Sequence, residues 1–144
     1  MAIRRKAGDR IGEGNTLNNM GEIYRARGEL QEALREYQQA LAIRREVGDR
    51  AGEGATLDSM GMVQVALGQN QLAVECFQQA LAIRREVGDR FGEGTTLWNL
   101  GDALERLAET VLSEAVTTLK DGGNPQADQA QMWLDRVRRK LGSG

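Results

Sequence analysis

The string ALAIRREVGDR stands at residues 40–50 and again, unchanged, at 80–90, and a worn copy, MAIRRKAGDR, opens the chain. Repetition at a period of this size constrains the fold more than any composition does. Each copy is one supersecondary unit that buries its apolar face only by stacking on neighbours. Period alone leaves helical pairs and propeller blades open, so the pattern inside the period decides. Apolar or small residues fall at Leu17, Met20, Gly21 and Tyr24, then at Ala33, Leu34, Tyr37, Ala40 and Leu41. Those steps of three and four are helical, not strand alternation. Gly28 interrupts the two stripes and Gly48 ends the second. Glycine just past a helix end takes the left-handed cap, so each unit predicts helix, turn, helix, turn. Gly48 and Gly88 are expected to take that cap, with Asp49 and Asp89 capping the helices that follow, and Gly8, Gly48 and Gly88 are all read as structural.

Composition agrees and removes several function classes. Ala, Leu, Glu, Gln and Arg are abundant among the 144 residues beside 18 glycines, and proline occurs once, which is a helical composition broken by turns. With 19 basic against 21 acidic side chains, the charge balance does not ask for nucleic acid. No apolar run approaches the ~20 residues that cross a bilayer, and no signal-type apolar core follows the opening arginines, so no membrane role is expected. Cys76 is alone, which excludes an internal disulfide and points to a reducing, cytoplasmic setting. The absence of histidine removes the commonest general base and metal ligand. The "GEGATL" stretch lacks the lysine of a phosphate loop, and "REVGDRAGE" lacks calcium-ligand spacing. No catalytic residue, metal site or cofactor is expected, and the chain is not read as an enzyme.

The stretch TLNNMGEIYRARGELQEALREYQQAL resembles a tetratricopeptide repeat. Met20-Gly21 is similar to that family's Leu-Gly pair, and Tyr24, Gly28, Ala33, Tyr37 and Ala40 fall at its spacings. The second unit keeps Met60-Gly61, Gly68, Ala73, Phe77 and Ala80, with Gln64 where an aromatic is usual. Arg45 and Arg85 replace the usual closing proline. The longer period and the "GDR.GEG" connections are similar to repeats of kinesin light chains and spindle-orientation adaptors. The resemblance covers roughly residues 1–108. It implies an all-α, right-handed solenoid of tandem helix-turn-helix units within a single domain over 1–144. Its parts would be a remnant of a second helix (1–8), unit one (10–48), unit two (50–88), an atypical third unit (90–121) and a capping helix (125–141). The opening remnant reads as one end of a piece cut from a longer array.

The third unit departs from the pattern. Ala108 stands where the turn glycine stands at 28 and 68. A left-handed alanine costs ~1–2 kcal/mol, and alanine inside a helix gains ~1 kcal/mol over glycine. Both favour one long helix, with Leu97, Leu100, Leu104, Leu107, Val111, Ala115 and Leu119 as its apolar stripe. Against it, Thr110 could cap a new helix, with Glu114, Ala115 and Val116 repeating a shifted "EAL". Beyond, Asn124-Pro125 predicts the start of a last helix, with Ala127, Ala130, Trp133, Leu134, Val137 and Leu141 inside.

The resemblance implies a concave groove lined by first helices and holding a peptide or protein segment. Its groove positions would be Asn15, Asn18, Glu22 and Arg25, then Asp58, Met62 and Val65, then Trp98, Asp102 and Glu105. Asn18 suits a peptide backbone because it both donates and accepts. Met62, Val65 and Trp98 form the apolar part, and tryptophan is the commonest binding anchor. The excess of carboxylates predicts a ligand with basic and apolar side chains. The implied role is that of a protein-interaction module, either an adaptor or the sensing part of a larger regulator. The alternative is a self-associating, helix-exchanged homodimer formed through the third unit.

Overall fold

The computed structural model describes the backbone of residues 2–142 and the side chains of residues 8–142. The helices are α1 (Ala2–Ala26), α2 (Leu30–Glu46), α3 (Arg50–Ala66), α4 (Asn70–Glu86), α5 (Arg90–Asp121) and α6 (Ala127–Lys140). No strand occurs among the described residues. The chain is an all-α helical repeat.

The turns follow from the glycines. Gly28, Gly48, Gly68 and Gly88 all have φ between 74° and 77°, the left-handed region open to glycine at no steric cost. In each turn the residue after the glycine donates its N–H back across the helix end, as Asp49 does to the Arg44 carbonyl at 2.9 Å. Asp49 and Asp89 then cap α3 and α5, each accepting from the third amide on, Gly52 or Gly92, at 2.9 Å.

At two places the chain does not turn where a turn was weighed. α1 runs from Ala2 to Ala26 without a break, so residues 2–8 are the beginning of a first helix and not a separate remnant. Gly8 is helical and lacks the positive φ of its copies. Glycine permits a left-handed turn but does not compel one, and here the helix continues through it. α5 likewise passes through Ala108 without a turn. Thr110 caps nothing; its hydroxyl donates to the Arg106 carbonyl at 3.3 Å, a bond made inside a helix.

Two compact units are present, Met1–Leu100 and Gly101–Gly144, dividing within α5. In the first, α1 packs on α2, α2 on α3, and α3 on α4. Its core holds Ala33, Tyr37, Leu41, Leu57, Met60, Val63, Cys76, Ala80 and Ile83. The Tyr37 and Phe77 rings lie flush on the backbone of the facing helix. A Cβ at Gly21 would sit 2.6 Å from the Tyr37 ring, and one at Gly61 would sit 2.5 Å from the Phe77 ring. Cys76 is buried here, and burial pushes its thiol up, which suits packing rather than reactivity.

In the second unit Val116, Ala130 and Leu134 are buried together, with Leu112 and Leu119 against them. Asn124 accepts from the Gln126 amide at 2.9 Å, and α6 begins just after, at Ala127. The expectation for the inner side of α6 needs one correction: Trp133 is exposed, and Ala127, Ala130 and Leu134 are the buried residues.

Candidate interaction surface

The 40-residue copy places equivalent side chains of α1, α3 and α5 in equivalent rows, and the first two copies use much of theirs on each other. Asn15 Oδ1 accepts from Arg44 Nη2 at 3.1 Å. Asn18 Oδ1 accepts from the Thr56 hydroxyl at 3.0 Å, so α1 is tied to α3 at that point. Glu22 receives the Tyr37 hydroxyl at 2.5 Å, the Arg25 guanidinium at 2.5 Å and the Ser59 hydroxyl at 3.2 Å. Burial pushes the Glu22 carboxyl up, but those bonds and the Arg25 charge outweigh it, and its pKa is lowered overall. On Tyr37, burial and then the bond to Glu22 raise the phenol well above its ordinary value.

Asp58, the copy of Asn18, is only 6% exposed and does not line an open surface. Its Oδ2 accepts a long 3.4 Å bond from Arg84, and its Oδ1 has no partner. Burial dominates there and raises its pKa, against the opposing pull of Arg84, Asn99 and Thr96. Met62 is exposed, with its sulfur 3.7 Å from Arg25 Nη1, and Val65 is half-buried. The acidic residues named from sequence are thus engaged. Glu22 pairs with Arg25 and Asp58 with Arg84 in the first unit; Asp102 pairs with Arg106 and Glu105 with Lys140 in the second. A groove carrying free negative charge is not what these pairs make.

Trp98 differs from both of its copies. It is 80% exposed, and one face of α5 adds Phe91, seven residues earlier and 89% exposed. Arg90, Gly94 and Thr95 complete an open apolar depression around the two rings. Phe91 was not singled out from sequence, although a signal was there: it replaces Ala51 inside an otherwise constant VGDR-x-GEG string. Exposed aromatics on one helical face mark a contact surface more often than scattered single residues do.

Among the described residues there is no group of His, Cys, Asp and Glu side chains that could hold a metal ion. No helix there is long and apolar enough to cross a membrane. A search of curated proteins returned no match. The tetratricopeptide repeat family matches residues 1–46, 12–86 and 53–119, three overlapping stretches that leave only the last part of the chain unmatched. Repeats of this family are generally protein–protein interaction modules. Matched over well more than half its length, with the turn glycines and ring-on-glycine packing in place, the chain belongs to the tetratricopeptide repeat family.

Proposed function

We propose that this chain binds a protein or peptide segment along its row of first-helix positions, with Phe91 and Trp98 as the apolar anchor. The observation that carries the reading is the near-complete exposure of both rings on one face of α5. Burying an aromatic ring of this kind commonly supplies ~2 kcal/mol or more of binding energy. Met62, Val65, Arg25, Asn15 and Asn18 extend the row in the first unit; Asp102 and Glu105, in the second unit, hold the matching positions of the sequence repeat. Glu22 and Asp58 act chiefly by holding their neighbours in place. An apolar segment fits the exposed rings, and a basic residue on it would compete with Arg25 for Glu22. The role is that of an adaptor or the sensing part of a larger regulator, in a cytoplasmic setting and without catalysis.

The test is capture from source-cell lysate by wild type and by a Phe91→Ala, Trp98→Ala double variant. Circular dichroism checks that both are folded. A protein held by wild type and lost by the variant supports the surface; an unchanged captured set removes it.

The continuous course of α5 through Ala108 favours a second reading, a homodimer exchanging the third unit. Light scattering over a wide concentration range addresses it. A monomeric mass throughout would rule that reading out.

A further inference from the structure

The repeat also shows which kind of helix the start of α5 is shaped to receive. In repeat one, Arg10 donates to Glu46 at 2.5 Å and to Glu13 at 2.6 Å. In repeat two, Arg50 donates to Glu86 at 2.6 Å and to Glu53 at 2.9 Å. Among the described residues the third copy, Arg90, reaches only Glu93, at 3.8 Å, and its side chain is 90% exposed. The same asymmetry holds four residues on. A Cβ at Gly14 would meet Ile43 at 3.2 Å, one at Gly54 would meet Ile83 at 3.1 Å, and one at Gly94 would meet nothing within 4 Å. Leu57 is 2% exposed, whereas its copy Leu97 is 44% exposed.

The two missing groups come from one turn of helix. Ile43 and Glu46, like Ile83 and Glu86, are three residues apart on α2 and α4, so one helical face offers both. We infer that Arg90, Gly94 and Leu97 form a docking site for an amphipathic helix of another protein that carries Ile-x-x-Glu, with isoleucine over Gly94 and glutamate on Arg90. Charge sets this occupant apart from the AIRR segments of a second copy of the chain. The opening AIRRK segment of such a copy carries Lys6 where glutamate is needed, which sets like charge against Arg90. The AIRRE segments at 42–46 and 82–86 already serve their own repeats. The site shares Arg90 and Gly94 with the depression around Phe91 and Trp98 and adds Leu97, and it is defined by a different ligand face.

The probe is a fluorescein-labelled peptide of residues 69–88, titrated against the full chain by anisotropy. Saturable binding is expected, weakened at least tenfold by Gly94→Leu. That variant keeps the fold, because the position is open and leucine is a better helix former than glycine. Arg90→Glu should weaken binding at least threefold, and a peptide carrying Glu86→Arg should recover it on that variant alone. No saturable binding, or equal binding by Gly94→Leu, would overturn the site. Self-association abolished by Gly94→Leu, without peptide binding, would overturn the occupant and assign the face to a second copy. Because Gly94→Leu leaves Phe91 and Trp98 intact, failure here is distinguishable from failure of the lysate capture.

Discussion

Gly61 and Gly101 hold the same position one repeat apart, and their surroundings are opposite. Gly61 has the Phe77 ring against its backbone, with no room for a methyl group, whereas Gly101 has nothing within 4 Å of where a Cβ would be. Duplication copied the glycine, but only the earlier copy has a second helix to justify it. The same holds for Gly54 against Gly94, Leu57 against Leu97 and Arg50 against Arg90. What a repeated residue does is decided by its neighbour in space, not by its place in the repeat.

That contrast can be broken or sharpened by mutation. The largest effect belongs to the aromatics. Phe77→Ala empties the core beside Gly61 and should cost about 3–5 kcal/mol in urea unfolding, while Phe91→Ala should stay within about 0.5 kcal/mol. Equal losses would mean that Phe91 is covered in solution. Next, Gly61→Ala should cost about 1–3 kcal/mol, because the new methyl must displace the Phe77 ring.

A smaller effect is expected where the first repeat is tied by polar groups. Tyr37→Phe removes one of three donors from Glu22 and should cost about 1 kcal/mol near neutral pH. Since the Glu22 pKa is lowered, its contribution is present above the ordinary carboxylate value and lost as pH falls through the lowered one. The deficit of Tyr37→Phe should therefore shrink in acid. Asp58 has the opposite sign. Its raised pKa means that stability is gained as pH falls through the raised value. Asp58→Asn should thus gain on wild type as pH rises from the ordinary aspartate value through the raised one, read by melts across a pH series. Asn18 is the chain's own precedent for an amide at that position, accepting from Thr56.

Much of this was legible in the sequence. The helical stripes, the turn glycines at 28, 48, 68 and 88, the aspartate caps and the continuous helix through Ala108 all follow from local rules. Local rules failed where the decisive partner is remote in sequence. Gly8 shares its flanks with Gly48, yet α1 runs straight through it, because glycine permits a left-handed turn without compelling one. Glu22 and Asp58 look like groove carboxylates in a linear register. Only the fold brings Tyr37, Ser59 and Arg84 to them. Phe91 went unremarked because its copies are Ile11 and Ala51, neither of which suggests an anchor.

The most direct test of the uncovered α5 face is the pair Gly94→Ala and Gly101→Ala, made singly and together and followed by thermal melts. On an open helix face each substitution should raise stability by up to about 1 kcal/mol, or a few degrees in Tm for the pair. A fall in Tm of the size expected for Gly61→Ala would contradict the account, because it would place a second helix on α5 as closely as Phe77 lies on α3.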